Sequence, residues 1–282
     1  MKGGYFLRNG QFQKENEFVF NLSDLTGRVE GFSEFFRAEH NEILFQESIC
    51  SHLLATAGTI GLDLAGLIDS EGKLLRKDIS RLLNKNKLYL AAKIGIQIYP
   101  SDGKINIILN AEEIERGYYS PKEPGLLISF YRDNLKEIHP AASYSIFGLL
   151  ICQAAKRQAD EMNKPNMILL NKNGCACESI GGSFAYIEND KVFFPSESSG
   201  GYRCAILKEV VKSVKNAGFI ALEKENINPD DLLSAEELFL FDACYGIQKV
   251  LGLEDQRYFS TKTHLVAEKL SALAREDRAK RE

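Results

Sequence analysis

Apolar and polar positions alternate with a period of two in several short runs and recur at helical spacing in longer ones. Residues 5–8 and 11–13 read as a hairpin around Asn9-Gly10, a pair that tolerates the positive φ values of a tight turn. Residues 31–37 and 43–45 predict a second strand pair, turning at His40-Asn41. Ile49, Leu53, Leu54 and Ala57 then fall on one helical face over 47–57, and 70–84 predicts another helix. Strands follow over 89–99 and 104–109, joined by Pro100-Ser101-Asp102-Gly103. A charged run with two prolines and two glycines, EEIERGYYSPKEPG (112–125), then interrupts the pattern and reads as an interdomain linker.

Beyond that run the strand period resumes over 126–131. A strong helix is predicted over 146–162, and a strand opens at 166. Short strands follow over 183–187 and 191–194, and Gly200-Gly201 leads into an amphipathic helix. A last strand spans 238–241, and a last helix 261–282 ends in the solvated tail AREDRAKRE. Separate strand runs and helices indicate an α+β class with two domains rather than a wound parallel sheet. The boundaries fall at 1–118, a linker at 119–125, and 126–282.

Composition narrows the function classes. A chain of 282 residues, 44% hydrophobic and 26% charged, is ordinary for a globular protein and long enough for two cores. A net charge of −4 leaves no basic footprint for nucleic acid. No apolar run approaches the roughly 20 residues that span a bilayer, and MKGGYFLRNGQF lacks a signal-peptide core. The expectation is a cytoplasmic protein with neither nucleic-acid nor membrane partners. Of six cysteines only Cys175 and Cys177 lie close in sequence. No second Cys/His cluster completes a metal site, so they read as reduced thiols in or beside a strand.

The stretch from 166 to 250 carries the candidate chemistry. A strand and turn are followed at once by a lone carboxylate, Glu178, and further on comes a helix N-terminus. An acid and a helix N-terminus on one framework suit a phosphorylated, nitrogen-containing cofactor.

Four segments, in order, resemble one family. GYFLRNGQFQKENEFVF is similar to its first hairpin, and GFSEFFR (31–37) to its Gly-x-Phe-Glu-Thr-x-Arg segment. ILLNKNGCACES (168–179) matches its Leu-Leu-Asp/Asn, Gly, Glu pattern, and SAEELFLFDACYGIQKV (234–250) its Ala-Asp-Glu strand and following loop. The chain thus resembles the class IV aminotransferases, pyridoxal-phosphate (PLP) enzymes of fold type IV. These include branched-chain and D-amino acid aminotransferases and 4-amino-4-deoxychorismate lyase. The resemblance implies a two-domain, D-amino acid aminotransferase-like architecture, a homodimer, PLP as cofactor, and an amino or keto acid ligand.

It also implies roles for particular residues. Glu178 falls where the family keeps the acid facing the pyridine nitrogen, which holds the ring protonated and electron-withdrawing. Read without the family, it is a Glu at a strand end, satisfied by water or a backbone N–H. Backbone N–H groups of Ala205 and Ile206 stand where the family anchors phosphate, in Cys204-Ala205-Ile206-Leu207, although the family Gly is Cys204 and its Arg is Leu207. Ala243 replaces a hydroxyl donor. His52 replaces the phosphate-binding Arg, with a weaker, pH-dependent charge and no bidentate fork; its plain reading is a half-buried helix histidine.

The resemblance puts the family's Schiff-base lysine at Ser145, or at Tyr144 where the connection is slightly longer; neither has an amine, and Ser145 reads as a helix N-cap. The nearest preceding lysine, Lys136, lies nine residues away. Nine is odd, so on an extended segment Lys136 faces the other way; a bulge or insertion would bring it back. His139 is a further base candidate. The expected function is therefore a divergent homologue with altered or lost PLP chemistry. The alternative is an active PLP-dependent aminotransferase or 4-amino-4-deoxychorismate lyase that uses Lys136.

Overall fold

The computed structural model describes residues 4–17, 22–115, 117–120, 123–144 and 149–281. The chain divides into two compact units, Met1–Tyr118 with Asp277–Glu282, and Tyr119–Glu276.

The first unit is built on a six-stranded antiparallel sheet. Its strands are β1 (Tyr5–Arg8), β2 (Gln11–Lys14), β3 (Phe32–Glu39), β4 (Glu42–Ile43), β5 (Ala91–Ser101) and β6 (Lys104–Glu113), in the order β2-β1-β6-β5-β3-β4. Both anticipated hairpin turns form with paired positive φ, at Asn9-Gly10 (49° and 73°) and at His40-Asn41 (50° and 66°). Helices α1 (Leu22–Val29), α2 (Gln46–Thr59) and α3 (Lys73–Asn86) accompany the sheet. Ile49 and Leu53 of α2, Ile79 and Leu82 of α3, and Phe36, Ile94, Ile96 and Ile98 of the sheet are buried. Helix α1 was not anticipated, because its short polar run carries too few apolar positions to show a period.

The second unit carries a nine-stranded mixed sheet. Its strands are β7 (Leu126–Lys136), β8 (Met167–Asn171), β9 (Ala176–Ser179), β10 (Ser183–Glu188), β11 (Lys191–Pro195), β12 (Ile220–Lys224), β13 (Glu237–Asp242), β14 (Gly246–Leu253) and β15 (Gln256–Arg257). The order is β12-β11-β10-β13-β14-β7-β8-β9, with β15 on β14. Strands β9 and β10 sit far apart in that order, yet Ser179 and Gly182 form a bridge between their ends. The sheet therefore curls back toward itself. One cluster joins Ile128, Phe130, Ile168, Phe184, Tyr186, Leu238, Leu240 and Val250. Another joins Tyr131, Met167, Leu169 and Cys177 to Ala155 and Ala159 of helix α4 (Leu149–Glu161). Helices α5 (Leu207–Asn216), α6 (Pro229–Leu233) and α7 (Thr261–Ala279) follow in the chain.

Two differences from the sequence reading position the candidate site. Strand β7 runs five residues past Tyr131, because Lys136 still pairs with Asn171 of β8 after a register shift. Residues 132–135 are exposed and polar or lone apolar, so no hydrophobic alternation marks this extension. Helix α5 starts at Leu207 rather than directly after Gly201, because residues 201–204 run without regular structure along the end of the sheet.

Candidate active site

Strand β9 carries Glu178 into the interior, with Leu169 of β8 opposite it. One carboxylate oxygen of Glu178, Oε2, forms an ion pair with Lys136 Nζ and accepts the N–H of Tyr202 at 2.6 Å. The other, Oε1, accepts the Cys152 thiol at 3.5 Å. Lys136 Nζ also donates to the Ala142 carbonyl at 3.1 Å. The lysine and glutamate side chains are 2% and 1% exposed. Such burial is tolerated because each charge meets an opposite charge and a further hydrogen bond.

The parity argument for Lys136 presumes extended chain between it and Ser145. Alternation of faces holds only on extended chain, and the segment after Lys136 is not extended. A 3₁₀ turn spans Pro140–Ser143. His139 caps it: its Nδ1 accepts the Ala141 N–H at 3.1 Å and its carbonyl accepts the Ala142 N–H at 2.8 Å. The turn folds the Ala142 carbonyl onto Lys136, and the Ser143 carbonyl accepts the Arg203 N–H at 2.9 Å. Ser145 lies outside the described residues.

The anticipated phosphate residues of this unit lie at two places. Ala205 and Ile206 open helix α5, where Val210 N–H already donates to the Ile206 carbonyl at 3.0 Å. Among the described residues no hydrogen bond engages the N–H of Ala205 or Ile206. Ala243 is buried in the turn between β13 and β14, and its carbonyl accepts the Tyr119 hydroxyl at 2.9 Å. His52 belongs to the first unit. There its Nε2 lies 3.1 Å from Glu34 Oε1, and each of these side chains is 10% exposed.

Three participants escaped the sequence reading. Cys152 lies on α4, and in sequence it is one cysteine among several scattered ones. Tyr202 holds Glu178 through its backbone N–H, which any residue but proline supplies. Asp242 accepts the N–H groups of Cys244 and Tyr245 at 2.7 and 2.6 Å, and the Gln248 amide at 2.8 Å. An Asp opening a turn that ends in Gly is a recognisable signal for such bonds.

The thiols around the pair are chemically quiet. Burial first, then the Glu178 charge, pushes the Cys152 thiol up to about 12. The same two causes, in the same order, push Cys177 up further. A thiol shifted this way stays protonated near neutral pH, and the thiolate is the form that alkylates. In the native protein Cys152 and Cys177 should stay unmodified by iodoacetamide over a period that alkylates both completely in denaturant. Peptide mass spectrometry reads this, and rapid native labelling of either would refute it. Among the described residues no group of three or more His, Cys, Asp or Glu side chains is arranged to hold a metal ion.

Known proteins place this architecture. A family model described as Amino-transferase class IV matches residues 31–253. No protein with a curated description matches the sequence. Among solved structures, the chain is similar to the branched-chain aminotransferase of Thermoproteus uzoniensis with norvaline, at TM-score 0.79 and 17% identity over 97% of this chain and 94% of that one. It is also similar to a hypothetical aminotransferase from Mycobacterium tuberculosis in its PLP-bound form, at TM-score 0.80 and 12% identity over 98% and 100%. A third is the putative 4-amino-4-deoxychorismate lyase of Legionella pneumophila, at TM-score 0.77 and 18% identity over 93% and 97%. At these identities the structural likeness establishes the fold, and the family match establishes membership. This chain belongs to the PLP-dependent class IV aminotransferase family and has its fold type IV architecture.

Proposed function

We propose that this chain is a divergent class IV member whose lysine-dependent PLP chemistry is lost or altered. The observation that carries this reading is the buried ion pair of Lys136 with Glu178. An amine that captures an aldehyde must be reachable and must lose its proton; Lys136 is neither exposed nor free of a counter-charge. An acid that protonates a pyridine ring must have an oxygen turned to the ring. Glu178 instead spends Oε2 on Lys136 and Tyr202, and Oε1 on Cys152. A direct ion pair leaves no room for an aromatic ring between its partners. As arranged, these residues do not fit PLP, and Ser145 supplies no amine.

The second reading, an active aminotransferase or 4-amino-4-deoxychorismate lyase using Lys136, is favoured by one fact. Lys136 and Glu178, an amine and the family acid, stand together. One experiment separates the two. The purified protein is mixed with PLP, its absorbance recorded, and the mixture reduced with borohydride and mapped by mass spectrometry. The divergent reading expects no lasting yellow band and no pyridoxyl group on Lys136. A pyridoxyl-Lys136 peptide overturns it.

Under either reading we place the protein in the cytoplasm as a homodimer, with a small amino or keto acid as the ligand class. The family membership and the acidic composition support this. Among the described residues no helix is long and apolar enough to cross a membrane.

A further inference from the structure

Asn9-Gly10, Asp102-Gly103 and Asn173-Gly174 each sit in the turn of a hairpin, with positive φ at the glycine. A glycine has no Cβ to shield its backbone nitrogen, so the side-chain carbonyl of the residue before it can reach that atom. The three turns differ in what holds that side chain. Asn9 Nδ2 donates to Asn106 Oδ1 at 2.9 Å, and Asn9 Oδ1 accepts the Ile107 N–H at 2.8 Å. Asp102 Oδ2 accepts the Ser23 hydroxyl at 3.1 Å. Asn173 is exposed, and among the described residues its side chain forms no hydrogen bond. The space around it is open too. A Cβ on Gly174 would meet nothing within 4 Å, whereas one on Gly10 would lie 3.5 Å from Asp78 Oδ2.

We propose that Asn173 is a modification site, at which the side-chain amide is lost through attack by the Gly174 backbone nitrogen. That nitrogen passes its proton to hydroxide and bonds to the Asn173 side-chain carbonyl carbon, and the side-chain nitrogen leaves as ammonia. Water then opens the resulting cyclic imide. Attack at one carbonyl gives Asp; attack at the other gives an isoaspartyl link, in which the main chain runs through the side-chain methylene. The Gly174 N–H donates to the Asn171 carbonyl at 2.8 Å, so one backbone hydrogen bond at an exposed turn must open first.

The consequence falls on the hairpin of β8 and β9. Asn171 Oδ1 accepts the N–H groups of Asn173 and Cys175, each at 3.0 Å, and the Asn171 N–H donates to the Cys175 carbonyl at 2.8 Å. An isoaspartyl link inserts a methylene into the main chain between Asn173 and Cys175, so the turn no longer closes on Asn171. Cys175 reports this. It is 4% exposed, and its thiol lies 3.7 Å from Asn228 Oδ1 and 3.8 Å from Asn226 Oδ1. Burial first, then the Asp231 charge, pushes that thiol up. None of this depends on how Lys136 is used.

The full chain is held at mildly alkaline pH, native and in denaturant, and sampled over days. Peptide mass spectrometry reads the exchange of amide for acid at each asparagine. Isoaspartyl methyltransferase with labelled S-adenosylmethionine identifies the isoaspartyl product. In the native protein Asn173 should convert about tenfold faster than Asn9, which must first release two side-chain hydrogen bonds. In denaturant the two rates should converge, since each pair then follows a basic residue, Arg8 or Lys172, on open chain. Native Cys175 should become reactive to iodoacetamide in step with the isoaspartyl fraction. Asn173→Gln, whose longer side chain closes the ring slowly, should keep Cys175 protected throughout. Equal native rates at Asn9 and Asn173 overturn the proposal, as does a native Asn173 that stays intact while the denatured chain converts. Isoaspartyl protein in which Cys175 stays protected overturns the opening of the turn.

Discussion

Replacing Glu178 by Gln should destabilise the protein by about 3–5 kcal/mol, the usual effect of stranding one member of a buried ion pair. The melting temperature should fall by roughly 10 °C. The reasoning starts from the burial: Lys136 is 2% exposed, and its remaining acceptor is the Ala142 carbonyl. A neutral amide cannot repay the desolvation of an ammonium ion. Lys136→Met should also destabilise, by leaving the carboxylate with only the Tyr202 N–H and the Cys152 thiol. The double variant Lys136→Met/Glu178→Gln should recover more than half of the loss, because no buried charge is left unpaired. Chemical denaturation of the four proteins reads the coupling. Additive losses, with no recovery in the double variant, would show that the two side chains do not depend on each other, and the closed-pair reading would fall with them.

The fold was largely legible because its signals are local. Asn9-Gly10 and His40-Asn41 mark turns by backbone chemistry alone, and Ile49, Leu53 and Ala57 mark a helix by spacing. The family resemblance then supplied the order of the elements. Strand β12 was missed because it is an edge strand with Ile220 and Leu222 partly exposed, so its alternation does not separate inside from outside. The candidate site was legible in part. Glu178 was found because an acid follows a strand and a turn. The destination of Lys136 was not, because it depends on a bulge in exposed, polar chain and on a 3₁₀ turn whose cap is a histidine ring. Asp242 marks a turn, but nothing in the sequence says that its carboxylate takes two backbone N–H groups and the Gln248 amide. Side-chain identity can be read along a sequence, but the partner that each buried charge finds is set by tertiary pairing.

Gly201→Ala should open the same site from the opposite side. A Cβ at Gly201 would stand 1.9 Å from the Cys177 carbonyl oxygen and 2.6 Å from its carbon. Both belong to the backbone of β9, which is paired to β8, and Cys177 is buried against Leu169 and α4. Strand β9 has nowhere to go, so the segment 200–203 must move. That movement draws the Tyr202 N–H away from Glu178 and the Arg203 N–H away from the Ser143 carbonyl. Overpacking together with a lost hydrogen bond to a charged group should destabilise by about 3 kcal/mol. The specific readout is Lys136. Its amine should resist acylation in the wild-type protein and become reactive in Gly201→Ala under native conditions, as read by peptide mass spectrometry. Gly181→Ala is the control, since a Cβ there meets nothing within 4 Å but would sit at φ +71°. Backbone strain of about 1–2 kcal/mol should weaken that variant while Lys136 stays protected. Equal protection of Lys136 in both variants would mean that the 200–203 segment does not seal the pair. Reactivity in Gly201→Ala alone would assign the sealing to the contact between Gly201 and β9.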